Sequence, residues 1–238
     1  MLLPHAEDLL RRSEHAEREF RALARAPADV LHVGTFATAG ARLLPQALAE
    51  LRRRRPAVDV RLAEAEPHDA LAALGRGELD VALVFCAPGG PRDAAAHVAT
   101  RWILDDPMVV MLPAGHALAD RSAVELAALA DEGWIGGAHE HDPCDRVLVE
   151  ACRSHGFEPR TAFRSDDYTV IRGLVAAGLG VALVPALGLG PAEPGVAVRP
   201  VAGEPLVREV HVAVRGPKPT ASALALRDAL TRHARARA

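Results

Sequence analysis

The chain has 238 residues, 50% of them apolar, with a formal net charge of −3 at pH 7. It is long enough to bury a large core in one or two domains, and its charge argues against a protein that grips nucleic-acid phosphates over much of its surface. Its three cysteines cannot all pair within the chain, it opens without a basic, apolar signal segment, and no run approaches the roughly 20 apolar residues of a membrane span. We therefore expect a cytoplasmic protein.

In chain order, Leu2, Ala6, Leu9, Ser13, Ala16, Phe20 and Leu23 alternate in steps of four and three, with charged residues on the other faces. This predicts a coiled-coil-like helix ahead of Pro27 that packs on a partner chain. Val30 to Val33 then reads as a strand, Gly34 to Gly40 as a small-residue turn, and Leu43, Leu44, Ala47, Leu48 and Leu51 as one side of a helix. Pro45 is tolerated only in a first turn, so the helix is expected to begin near Ala41. Arg52 to Arg55 close it, Pro56 stops it, and Val58, Val60 and Leu62 form a second strand of a right-handed βαβ unit. The hydroxyls of Thr35 and Thr38 would sit beside the helix N-terminus at the carboxyl end of a strand, where an open α/β sheet binds small ligands and a helix favours an anionic one. A bland alternative is that both threonines only cap the helix and line the turn.

Further along, Pro67 starts a short helix ended by Gly75 and Gly77, and Asp80 to Phe85 is a buried strand. His97 to Leu112 is extended, interrupted at Asp105-Asp106-Pro107, as if one strand leaves a first lobe and another begins a second. Ser122 to Glu125 has a capping-box pattern that opens a helix. Trp134 to Gly137 is a short strand, Asp142-Pro143 opens a helix closed by Gly156, and Arg160 to Arg164 is extended. Asp166 and Asp167 offer N-caps to a helix from Tyr168 to Ala177, and Leu179 to Val184 is a buried strand. Leu206 to Arg215 is a long alternating strand able to cross back, and a helix from Thr220 closes the chain. Two α/β lobes joined by two crossing strands would place two helix N-termini across a cleft.

These fragments, with Leu74-Gly75-Arg76-Gly77-Glu78-Leu79-Asp80, Pro113-Ala114-Gly115-His116 and Leu174 to Pro185, resemble LysR-type transcriptional regulators over residues 1 to 236. The resemblance implies a two-lobed, effector-binding domain akin to type 2 periplasmic binding proteins. Its expected division is a linker helix at 1–26, lobe I at 30–103 and 208–238, and lobe II at 104–207. It also implies an inducer site at Thr35, Phe36, Ala37 and Thr38, at Glu66, Pro67 and His68, at Thr100 and Arg101, at Trp134, Ile135 and Gly136, and at Ser165, Asp166 and Asp167. Glu66-Pro67-His68 departs from the Ser or Thr common there in the family, which weakens the expectation of an inducer carboxylate. The winged helix-turn-helix that precedes the linker helix in the family is not in the sequence, so DNA contact is expected only through such a domain. A homodimer or homotetramer is expected, with no cofactor, no metal and no membrane association.

Cys144 and Cys152, near His139, His141 and His155, suggest a metal or redox site. They share an apolar stripe with Val147, Leu148 and Ala151, however, and packing is the simpler reading. Cys86 reads as a small core residue, and His68 as a surface histidine as readily as an inducer contact. No nucleophile, base and orienting group fall in a recognisable arrangement, so an enzyme is not expected. The principal expectation is a ligand-sensing regulatory domain; the alternative is a stand-alone solute-binding protein of the periplasmic type.

Overall fold

The computed structural model describes residues 29–91, 94–138 and 143–236. The expected linker helix, and His139, His141 and Asp142, lie outside the described residues. Strand β1 (Val30–Thr35) runs parallel to β2 (Asp59–Glu64) and β3 (Val81–Cys86). β3 is antiparallel to β9 (Val207–Arg215), and β9 to β4 (Val98–Pro113). The far half of β4 pairs antiparallel with β7 (Ala182–Pro185) and β8 (Val196–Pro200). Strands β5 (Gly133–Gly136) and β6 (Arg160–Arg164) form a separate parallel pair, joined to the residue before β7 by a bridge between Trp134 and Val181.

Along β3 successive side chains turn to opposite faces of the sheet. Every residue of β3 is buried because helices cover both faces. Val81, Leu83 and Phe85 join the core beneath α2 (Leu44–Arg54) and α6 (Ala221–Arg235), whereas Ala82 and Val84 meet Ala70, Leu71 and Leu74 of α3 (Pro67–Arg76). In the second lobe, α4 (Pro143–Ser154) joins the first of these cores through Cys144, Val147, Leu148, Ala151 and Cys152. There α5 (Tyr168–Ala176) packs Ile171 and Val175 on Met111, Ala182 and Val184.

Three expectations need correction. The first helix begins at Ala37, not near Ala41: a short α1 (Ala37–Arg42) breaks at Leu43, and Pro45 sits in the first turn of a second helix. Proline's missing N–H is thus accommodated by an extra helix start rather than a later one. β4 is not interrupted at Asp105-Asp106-Pro107, since Asp106 and Pro107 stay in register opposite Arg208 and Val207. The irregularity is a shift between Trp102 and Leu104. Finally, Ser122 to Glu125 opens only a single 3₁₀ turn, Leu126–Leu129, without a side-chain cap.

Gly180 is held where a side chain does not fit. A Cβ there would lie 2.5 Å from the carbonyl oxygen of Gly133. That oxygen accepts the Val181 N–H at 2.9 Å and ties β5 to the start of β7. Gly180→Ala should cost about 1–3 kcal/mol through forced backbone displacement, visible as a lower urea midpoint with an unchanged m value.

Candidate functional site

A cavity of about 50 Å³ opens between the lobes, lined by Phe36, Ala37, Thr38, Glu66, Phe85, Ile135, Gly136, Gly137, Cys144, Asp145, Ser165, Asp166, Tyr168, Ile171, Leu183, Val184 and Arg208. The first lobe contributes the start of α1 and the turn before α3. The second contributes the end of β5, the start of α4, and the turn that leads into α5.

At its base lies a buried ion pair from the two crossing strands. Arg208 on β9 and Asp106 on β4 are register partners, each 1% exposed, with Nη2 2.8 Å from Oδ2. Nε of Arg208 donates to the same oxygen at 2.9 Å, and the Leu187 amide donates to Oδ1 at 3.0 Å. The guanidinium also donates to Thr38 Oγ1 at 2.7 Å and lies 3.6 Å from Cys144 Sγ. It stacks over the rings of Phe85 and Phe36, at 4.5 and 5.1 Å from their centroids. One side chain therefore joins α1, α4 and both crossing strands.

Burial pushes the Asp106 carboxyl above its usual range, opposed by Arg208 and the Leu187 amide. For Arg208 burial acts to lower the pKa, but Cys144, Asp106 and Tyr168 outweigh it and hold the group above its ordinary value. Arginine stays protonated in proteins, so the guanidinium is the fixed charge and Asp106 its counter-charge.

The remaining electrostatics do not favour an anion as the sequence suggested. The first helix is only six residues long, too short for a substantial dipole. The N-terminus of α5 is already served by Asp167, which accepts the Thr169 N–H at 2.7 Å. That bond leads the influences holding the Asp167 carboxyl below its usual range. Glu66, Asp145 and Asp166 line the cavity with Arg208; Arg208 is engaged by Asp106, and Asp145 by the Gly137 N–H and Arg164.

Of the residues expected at the site, Phe36, Ala37, Thr38, Glu66, Ile135, Gly136, Ser165 and Asp166 line this cavity. Thr35 is buried behind it and donates to the Phe36 carbonyl. Pro67 is buried at the start of α3, and His68 is exposed there. Thr100 and Arg101 are exposed on the first half of β4, where Arg101 lies 3.8 Å from Asp228 of α6. Trp134 is completely buried, and Asp167 caps α5 beside the cavity without lining it. Sequence reasoning missed Asp106 and Arg208, although a readable signal was present. Arg208 shares strand parity with Val210, Val212 and Val214, and Asp106 with Leu104, Met108, Val110 and Leu112. A charge on the apolar parity of a strand must be buried and needs a partner.

Comparison with known proteins bears on the same fold. The chain is 32% identical over 157 residues to a hydrogen peroxide-inducible genes activator of Pectobacterium carotovorum, covering 66% of this chain and 50% of that protein. It is 31% identical over 161 residues to the DNA-binding transcriptional dual regulator OxyR of Escherichia coli, covering 68% and 51%. The chain thus spans about half the length of the curated relatives it matches. The reduced OxyR regulatory domain from Pseudomonas aeruginosa superposes with a TM-score of 0.71 at 28% identity, covering 86% of this chain and 98% of that one. The BenM effector-binding domain with benzoate superposes at 0.74, over 85% and 90% of the two chains, and at 19% identity this likeness concerns the fold alone. The fold is that of type 2 periplasmic binding proteins, and among the described residues no helix is long and apolar enough to cross a membrane. With the family model for the LysR substrate binding domain matching residues 24–235, the chain belongs to that family.

Proposed function

We propose that this chain is the effector-sensing regulatory domain of a LysR-type transcription regulator, holding a small molecule in the cavity between lobes divided at about residues 103 and 208. The supporting observation is the joint lining of one cavity by Phe36, Ala37, Thr38 and Glu66 from one lobe and Ile135, Gly136, Ser165 and Asp166 from the other. A molecule bound there interacts differently with open and closed lobes, which is what a sensor requires. A homo-oligomer and a linked DNA-binding domain belong to the same proposal.

The cavity bounds the effector. Its volume of about 50 Å³ is roughly a third of the 150 Å³ apolar cavity that admits benzene, so an aromatic-sized effector requires the lobes to part. Asp145 is held by the Gly137 N–H and Arg164, and Arg208 by Asp106, so the lining offers hydrogen-bonding groups and dictates no net charge on the effector. The classes to compare are amines, amino acids and aromatic acids.

The names of several relatives, hydrogen peroxide-inducible genes activators, raise peroxide sensing as a second reading. Cys144 and Cys152 lie on one helix, so eight residues of rise separate their Cα atoms by about 12 Å, against the roughly 7 Å limit for a disulfide. Burial, then the nearby Glu158 charge, pushes the Cys152 thiol up to about 11, opposite to what a peroxide-reactive thiol needs, so the cysteine reading would have to act through Cys144, whose Sγ lies 3.6 Å from the Arg208 guanidinium. Effector binding is the better-supported reading.

A thermal-shift screen of these compound classes, with and without reductant, tests it. One class should raise Tm saturably, since a ligand of the folded state stabilises it. Ala37→Leu, which adds bulk at the exposed cavity wall, should leave the ligand-free Tm unchanged and abolish that shift. A shift that survives Ala37→Leu would place the ligand elsewhere, and a Tm that responds only to oxidation would favour the cysteine reading.

A further inference from the structure

Side chains alternate across β9, so the face opposite Arg208 carries Glu209 and His211. Cys86 is the register partner of Glu209 across the β3–β9 pair, which brings a thiol, a carboxylate and an imidazole to one face. One potential ligand atom from each lies within 4.8 Å of the other two. Cys86 is 8% exposed and His211 6%, so two of the three groups are almost completely removed from solvent.

The carboxylate is held in place before any cation arrives. It accepts the Gly89 N–H at 3.0 Å and the Gly90 N–H at 3.1 Å, and lies 2.9 Å from His211 Nε2. The imidazole is less well served, because His211 Nδ1 is buried without a hydrogen-bond partner. A buried ring with one nitrogen unused is uncommon, since buried polar groups are nearly always paired.

We propose that Cys86, Glu209 and His211 form a three-ligand site for a divalent cation of the zinc class, with a fourth position open to water. One sulfur, one nitrogen and one oxygen donor suit that ion, and three protein ligands plus water are a common tetrahedral set. A thiolate and a carboxylate offset its two positive charges, so the buried unit is neutral. On binding, the Cys86 S–H bond is replaced by a sulfur–metal bond and the proton leaves to solvent. The cation would tie the Gly89-Gly90 loop to β9, on whose opposite face Arg208 reaches the interlobe cavity.

Sequence distance hides this site, because Cys86 and Glu209 meet only through strand pairing. The test titrates the untagged, reduced, chelator-treated chain with Co²⁺ and follows thiolate-to-cobalt charge-transfer absorption, then displaces the ion with Zn²⁺. One equivalent should bind. The band should vanish in Cys86→Ser, persist in Cys144→Ser and Cys152→Ser, and Zn²⁺ affinity should fall at least about tenfold in Glu209→Gln and His211→Gln. X-ray absorption at the zinc edge of the unaltered chain, which depends on no variant folding, should count one sulfur neighbour. No charge-transfer band, a band that survives Cys86→Ser, or a zinc shell without sulfur would overturn the site.

Discussion

Arg208→Ala should destabilise the domain by about 3–5 kcal/mol, because it leaves a carboxylate buried without its counter-charge. Asp106 is 1% exposed, and burial already pushes its pKa up while Arg208 is present. The substitution also removes the donor to Thr38 Oγ1 and the cation between Phe36 and Phe85. Urea unfolding at pH 7 measures the loss as a lower midpoint. The deficit should depend on pH in a definite direction. A carboxyl whose folded pKa exceeds its unfolded value favours the protonated folded state, so its stabilising contribution is present at low pH and lost as pH rises through the folded value. Without Arg208 the Asp106 pKa rises further, so the variant should fall furthest behind the parent above neutrality and recover part of the gap near pH 5. The paired replacement Asp106→Leu with Arg208→Met should lie closer to the parent than either single change, since a buried ion pair can often be replaced by apolar groups without net loss. A double variant as unstable as Arg208→Ala would mean that the guanidinium's contacts to α1 and α4, rather than charge compensation, dominate its contribution.

The same pair shows how much of the molecule was legible in the sequence. The βαβ entry, the buried β3, the capped α5 and the returning β9 follow from apolar periodicity and turn chemistry, which are local. The resemblance of motifs such as Leu74 to Asp80 and Leu174 to Pro185 carried the two-lobed architecture. Errors fell where two local signals competed. Pro45 fixed a helix start, but the Gly- and Ala-rich turn before it was itself helical; Asp105-Asp106-Pro107 looked like a break, but tertiary pairing with β9 kept it extended. At the candidate site, the turns preceding α1, α3 and α5 could be located from sequence. The crossing-strand position could not, because Thr100 and Arg101 precede the Trp102/Leu104 shift, no β4 residue lines the cavity, and the crossing strands reach it through Arg208 of β9, paired with Asp106. Phe85, Tyr168 and Leu183 carry no mark in the sequence that separates a cavity wall from ordinary core.

Trp134→Ala should also cost about 3–5 kcal/mol, the range for emptying a large aromatic site, whereas Trp134→Phe should cost no more than about 2 kcal/mol. The small cost of the Phe change rests on the indole nitrogen. Trp134 is 0% exposed and its Nε1 is buried without a hydrogen-bond partner. An unsatisfied buried donor carries a desolvation cost of about 1–3 kcal/mol. Phenylalanine gives up some packing volume but removes that donor, so the two effects offset; alanine removes the donor and most of the packing. Trp134 pairs with Thr161 and bridges Val181, and the next residues on its strand, Ile135 and Gly136, line the cavity. Loss of its bulk should therefore weaken any ligand-induced thermal shift as well as basal stability, while Trp134→Phe should preserve the shift. Only one other tryptophan, Trp102, occurs in the chain, and it is 45% exposed. In a Trp102→Phe background, emission reports on Trp134 alone and should be blue-shifted in the native state and red-shifted on unfolding. A Trp134→Phe cost well above about 2 kcal/mol would show that the indole N–H is satisfied in solution, and would make Trp134 a hydrogen-bonding element of β5 rather than a purely apolar one.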